Sequence, residues 1–173
     1  MKKNIIKGLA SALCVLALSS CLKNKNEQPD FSSTTPVIEI PVGSPKGDGS
    51  VNSLSTSVKK STATTDYIFY LNYAASTTRD TPFNVTLSIN TALIGNYNAA
   101  NSDQVVMIPT SAFTMPTSIT IPAGQRRVQV PVKFSSALLT VGTTYGLPVT
   151  ITDASGVVIS KNFASVVVKV KVE

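Results

Sequence analysis

From Asp66 onward, apolar residues fall on every second position of the chain. Phe83, Val85, Leu87 and Ile89 alternate with Asn84, Thr86, Ser88 and Asn90, and Val128, Val130, Val132 and Phe134 alternate with Arg127, Gln129, Pro131 and Lys133. Tyr145, Leu147, Val149 and Ile151 form a third such row, and Val166, Val168, Val170 and Val172 a fourth. Tyr67, Phe69, Leu71 and Tyr73 make a further apolar face, with Ile68, Tyr70 and Asn72 on the other side. Side chains of a strand point alternately to its two faces, so each row predicts a strand with one face buried and one wet. Clean alternation of this kind favours antiparallel sheets packed on one side.

The punctuation between the rows agrees. Pro122-Ala123-Gly124 and Asp153-Ala154-Ser155-Gly156 are turn signals, and short strands so spaced predict a sandwich or barrel. Pro131 and Pro148 donate nothing to a ladder, so each is expected at an edge or a bulge. One helical turn is expected near residues 91–100, TALIGNYNAA. Pro45 to Ser50 reads as a loop, and Ser53 to Thr65 as part strand and part mobile segment. No internal repeat is visible.

The first 36 residues follow other rules. Lys2, Lys3 and Lys7 precede and flank a short apolar run ending at Leu18, followed by Ser19-Ser20-Cys21. A basic start, a short apolar core and small residues before a cleavage point make a secretory signal. Leucine, two small residues and cysteine resemble the bacterial lipobox, in which cleavage falls between Ser20 and Cys21 and the cysteine is acylated. The apolar run is too short to span a bilayer, which takes about 20 residues. More than one acyl chain is needed for stable attachment, and the lipobox implies two or three. The expected organisation is a signal peptide at 1–20, a polar tether at 21–36 and one domain at 37–173. The membrane is then a partner through the lipid on Cys21.

Removing the signal changes the charge balance. The precursor carries +6, with 15 basic and 9 acidic residues. Loss of three lysines leaves a formal charge of about +3, so the apparent basic footprint belongs largely to the signal and nucleic acid is not an expected partner. The doublets Lys59-Lys60 and Arg126-Arg127 read as solvated charge. Cys14 leaves with the signal and Cys21 carries lipid, so the domain is expected to hold together by core packing with no disulfide.

The ordered set Asn84-Val85-Thr86-Leu87, Ala92 to Asn101, Ile108 to Pro116, Ile119 to Gly124, Val130-Pro131-Val132 and Tyr145 to Ile151 resembles a Bacteroidetes family of lipoprotein domains. The resemblance covers about Val37 to Val172. It implies an Ig-like fold of unknown function, sitting after a lipid anchor and ahead of chitinase-like glycosidase or lectin-like modules. No such module is expected here after the last strand. The fold expected is therefore a single antiparallel Ig-like β-sandwich of seven to nine strands. The resemblance also implies an envelope lipoprotein of the outer membrane linked to glycan use, with its periplasmic or surface face left open.

The residues restrict the chemistry. Histidine is absent, which excludes Ser-His-Asp and Cys-His machinery, and with no free cysteine the common zinc sites are excluded as well. No EF-type calcium loop or phosphate-cradling glycine loop occurs. Asp66, Asp80, Asp103 and Asp153 each stand alone, which suits turns and caps better than a paired-carboxylate site. No catalytic residue, metal or cofactor is expected, and the chain reads as a non-enzyme. Glycan binding would use an aromatic ring against a sugar face. Tyr70, out of phase with its apolar row, and Tyr97, in the helical turn, are the candidate contacts. The alternatives are that Tyr70 packs under a loop and Tyr97 plugs one end of the sandwich. Two functions stand: a glycan-binding or scaffolding accessory of a carbohydrate-uptake system, or a structural, adhesive surface protein assembling through strand edges.

Overall fold

The computed structural model describes residues 34–43 and 51–173. The expected signal peptide, Cys21 and most of the expected tether lie outside the described residues, as does the loop expected at Pro45 to Ser50. Eleven strands are present among the described residues, seven of them four residues or longer. They are β1 (Val37–Glu39), β2 (Ser53–Val58), β3 (Thr65–Ala74), β4 (Phe83–Ile89), β5 (Val106–Met107), β6 (Phe113–Thr114), β7 (Ser118–Ile121), β8 (Arg127–Phe134), β9 (Thr144–Asp153), β10 (Val158–Ile159) and β11 (Ser165–Val172). One helix, α1 (Ala92–Ala100), lies between β4 and β5.

The strands form two sheets. One has the order β10-β1-β3-β8-β6, and the other β2-β11-β9-β4-β7 with β5 beside β9. The principal ladders are antiparallel, as in β3 against β8, where Thr65 lies opposite Phe134 and Asn72 opposite Arg127. Parallel pairing joins β1 to β10, β2 to β11 and β5 to β9.

All the expected apolar rows point inward. Phe69, Leu71, Val130 and Phe134 from the first sheet meet Val85, Leu87, Val149 and Val168 from the second in a single buried cluster. Each such side chain taken fully out of water contributes about 1.5–3 kcal/mol. Tyr73 and Phe83 join the sheets edge to face, with ring centroids 5.4 Å apart at 66°. The described domain contains no cysteine, so this packing carries the stability that a disulfide supplies in other sandwiches.

The chain changes sheets at tight turns with the backbone those turns demand. Ser155 and Gly156 both have positive φ, +49° and +83°, between β9 and β10. That is the mirror-image turn that favours Asn, Asp and Gly. The Asp153 carboxylate accepts the Ser155 N–H at 3.0 Å and holds the serine in this unfavourable conformation.

The two prolines behave differently. Tyr73 donates to the Arg126 carbonyl, and bonded pairs alternate from there along β3 and β8, so Pro131 opposite Ile68 presents its nitrogen to the other side. β6 covers only Lys133 and Phe134 on that side, which leaves Pro131 at an open edge as expected. Pro148 instead sits in β9, an inner strand, which corrects the expectation of an edge or bulge. Its missing N–H falls opposite Asn90, where β4 has already ended and the chain turns toward α1. Asn90 still donates to the Pro148 carbonyl at 3.1 Å. The ladder therefore loses one bond at a place where it was ending.

Truncating an inward side chain tests this register. Leu87→Ala or Val130→Ala is expected to destabilise the domain by about 2–4 kcal/mol through lost burial and a cavity. Thr86→Ala and Gln129→Ala, on the outer faces, are expected to change it by less than about 0.5 kcal/mol. Urea midpoints distinguish the two sets, and indistinguishable sets contradict the register.

Candidate functional site

The helix α1 has nine residues, a glycine at position 95, no side-chain cap and no charged residue in its end turns. Such a helix is marginal by itself and must be held by packing. Leu93 and Tyr97 supply that packing, forming a second apolar cluster with Val51, Val105 and Val167, against which Ile94 also rests. Val167 is the residue of β11 that breaks strict alternation: it points outward and is fully buried because the helix covers it. Beside it, Gly146 leaves the space that the helix fills. A Cβ at Gly146 would lie 2.6 Å from Ile94 Cδ1, 2.9 Å from Val105 Cγ2 and 3.1 Å from Val167 Cγ1.

The segment after the helix is tied down by amides. Asn98 donates to the Val105 carbonyl and accepts from the Val105 N–H, both at 2.9 Å. Asn101 donates to the Tyr97 carbonyl at 2.7 Å, and Gln104 Nε2 donates to the Asn98 and Asn101 carbonyls. These bonds fix Asp103 where the Tyr97 hydroxyl donates to its Oδ2 at 2.8 Å and Lys169 Nζ donates to the same oxygen at 2.7 Å. The Lys169 ammonium also lies 5.8 Å from the Tyr97 ring centroid.

Charge follows from this geometry. The hydrogen bond from Lys169, then that from Tyr97, holds the Asp103 carboxyl below the usual carboxylate range. The bond to Asp103 raises Lys169 above the ordinary lysine value, while burial opposes it. Burial first, and then the bond to Asp103, raises the Tyr97 phenol.

In front of this triad lies an open groove of about 440 Å³ on the outer face of the β2-β11-β9 sheet. Its lining includes Ser55, Ser57, Asp103, Gln104, Thr144, Lys169 and Lys171. The register explains why these residues meet. Ser57, Lys171 and Thr144 lie side by side across three strands, and Ser55, Lys169 and Gly146 make the next row. Neighbouring strands are about 4.8 Å apart and alternate residues about 7 Å, so the floor is a small flat lattice of hydroxyls and ammonium groups. Asp103 and Gln104 stand at its side. The volume lies within the range of small-ligand sites. No group of three or more metal-binding side chains occurs among the described residues.

The two aromatic candidates lie on opposite sheets. Tyr97 is 1% exposed, and its ring is enclosed between helix and sheet. It offers no face to a sugar, and this corrects the expectation that it contacts glycan; its role is to hold Asp103. Nor does it plug an end of the sandwich, since it packs against the outside of one sheet. Tyr70 is half-buried on the outer face of the β3-β8 sheet, and the Arg127 guanidinium lies 3.7 Å from its ring centroid. A sugar stacking there would have to displace that cation.

The basic doublets are also more engaged than solvated charge. Lys60 Nζ donates to the carbonyls of Ala137 and Leu139, and Arg126 donates to the Ser76 carbonyl at 2.6 Å. Asp103 lies in the bend after the helix, Asp153 ends β9 and accepts from the turn that follows, and Asp66 pairs with Lys133 across the outer face at 2.7 Å. Alternation hid the groove, because it marks inward residues and leaves outward polar ones undifferentiated. The signal available was Val167, an apolar residue out of phase in β11, which shows that something covers the outer face.

The family model of an N-terminal domain matches residues 34–158. The chain belongs to that family. Solved structures from Bacteroides share the sandwich. A candidate carbohydrate-binding protein from Bacteroides ovatus matches with a TM-score of 0.62 at 15% identity, covering 78% of this chain and 36% of the other. The enzyme EndoBT-3987 of Bacteroides thetaiotaomicron, seen with a Man5GlcNAc product, matches with a TM-score of 0.55 at 22% identity over 68% and 28%. An auxiliary nutrient-binding protein of Bacteroides thetaiotaomicron matches with a TM-score of 0.53 at 13% identity over 67% and 43%. The chain spans less than half the length of each, and at these identities what is shared is the fold. No curated protein sequence matches the chain.

Two outcomes test the site's construction. Gly146→Ala is expected to cost about 1–3 kcal/mol, because its Cβ overlaps side chains already packed there; a unchanged urea midpoint contradicts the close approach. Asp103 is ionised more readily in the folded state, so its contribution is present above about pH 4 and is lost as pH falls through the depressed folded value. Its side chain is 57% exposed, so water screens the pair and the contribution is at most about 1 kcal/mol. Asp103→Asn is expected to lie slightly below the wild type at pH 7, with the gap closing on acidification below about pH 4. A gap independent of pH contradicts the charge pairing.

Proposed function

We propose that this chain is a non-catalytic, lipid-anchored envelope protein whose sandwich domain serves glycan use as a binding or scaffolding accessory. The observation that carries the reading is the open groove on the β2-β11-β9 face. Its lining offers hydroxyls, an amide, ammonium groups and a carboxylate, the mixed donors and acceptors that a sugar's hydroxyls need. Asp103 accepts from both Tyr97 and Lys169 through Oδ2, which holds its carboxylate at the side of the groove. The residues lining it contain no histidine or cysteine and a single carboxylate, so neither an activated nucleophile nor a paired acid and base is present in the groove. Likeness to a candidate carbohydrate-binding protein and an auxiliary nutrient-binding protein supports the glycan reading.

In this proposal the lipobox-like Leu18-Ser19-Ser20-Cys21 anchors the protein to the outer membrane, with polysaccharide or an uptake complex as partner. A second reading, assembly through strand edges, draws on β2, which pairs with β11 and stands at one end of its sheet.

Two measurements check the proposal. Cys21→Ser is expected to abolish incorporation of a palmitate analogue in cells, and equal labelling of the variant refutes the anchor. The purified full chain is expected to be retarded by at least one member of a polysaccharide panel in affinity electrophoresis. Asp103→Ala is expected to weaken that retardation about tenfold, the scale of a hydrogen bond to a charged group. Absence of retardation on every member, together with self-association of the chain, favours the strand-edge reading instead.

A further inference from the structure

We infer that the groove selects acidic sugars, and that Lys171 provides the seat for their anionic group. The inference rests on the groove being the glycan site. Of its two ammonium groups, Lys169 is already committed: it is 21% exposed and bonded to Asp103. Lys171 is not. Its nearest opposite charge is Glu173 Oε1 at 3.6 Å, beyond hydrogen-bond range, and both side chains are at least half exposed. An ion pair so loose and wet contributes little and is readily exchanged for a ligand anion.

The neighbours of Lys171 complete the seat. Ser57 on β2 and Thr144 on β9 flank it in the same cross-strand row, facing the same way. Two hydroxyl donors beside an ammonium suit an anion with several acceptor oxygens, a carboxylate or a sulfate ester. The opposite side of the groove has the complementary chemistry. There Asp103 lines the groove with its carboxylate, and Gln104 spends its amide nitrogen on backbone carbonyls, so that its Oε1 is an acceptor. Acceptors at the side and donors on the floor orient a sugar with its hydroxyls toward Asp103 and its acid group toward Lys171. A neutral sugar would leave the Lys171 ammonium without an anionic partner in the groove. A nucleic acid is disfavoured, because the groove carries a carboxylate and no exposed aromatic for base stacking.

Affinity electrophoresis of the purified full chain tests this with three probes: polygalacturonate, fully methyl-esterified polygalacturonate and dextran sulfate. Retardation by one or both anionic polymers is expected to exceed that by the methyl ester about tenfold, and which polymer acts identifies the carboxylate or the sulfate as the anion. Lys171→Gln is expected to remove that preference, and Lys171→Arg to retain it. Lys133→Gln, on the opposite sheet, is expected to leave it unchanged. Equal retardation by the esterified and free polymers overturns the acidic preference and leaves the glycan reading standing. Equal weakening by Lys171→Gln and Lys133→Gln also overturns it, since general charge then suffices. No retardation by these or any neutral polysaccharide overturns both.

Discussion

The short helix can rest on its sheet only because position 146 has no side chain. Gly146 admits Ile94 and Val105 to within 3 Å of where a Cβ would stand, and Val167 supplies the apolar floor beside it. This one close approach decides what the outer face of the β2-β11-β9 sheet becomes. Under the helix the face is dry, and Tyr97 is buried there with its hydroxyl turned to the margin. Past the margin the same face is wet and carries Lys169, Lys171, Ser55, Ser57 and Thr144. Asp103 stands at the boundary, bonded to the buried phenol on one side and to the Lys169 ammonium on the other. The groove is thus a by-product of how far the helix reaches across the sheet.

The sandwich beneath it needs no special device. Its two sheets meet through side chains that alternate faithfully, and buried side-chain polar atoms among the described residues all find partners. Ser136, fully buried, donates to the Lys59 carbonyl at 2.8 Å and accepts from the Ser61 N–H at 3.1 Å. Asn52, also buried, donates to the Asn162 carbonyl at 2.7 Å. A core so satisfied tolerates a marginal helix on its outside, since the helix is not asked to hold the sheets together.

This division explains what the sequence reveals. The inward rows of β3, β4, β8, β9 and β11 are legible because period two is imposed by the backbone itself. The turn at Ser155-Gly156 is legible because positive φ restricts the residues that fit. Pro148 is misleading: the rule against inner-strand proline concerns a lost ladder bond, and here the neighbouring strand ends at that point. Tyr97 is misread for a related reason. A tyrosine in a short helix between strands looks exposed until the out-of-phase Val167 is recognised as the floor beneath it. The pairing of Asp103 with Lys169 joins residues 66 apart in sequence and depends on the helix position, so no local pattern announces it.

Helix docking at Gly146 creates the polar margin of the groove. Tyr97 reports on this directly, because its phenol is raised by burial and by Asp103 only while the helix is seated. The decisive measurement is an NMR pH titration of tyrosine ring carbons in the wild-type chain and in Gly146→Val. Tyr97 is expected to ionise above the usual value of about 10 in the wild type and to return toward it in the variant, while the inward core remains folded. A Tyr97 that titrates like an exposed tyrosine in the wild type, or is unmoved by Gly146→Val, contradicts it.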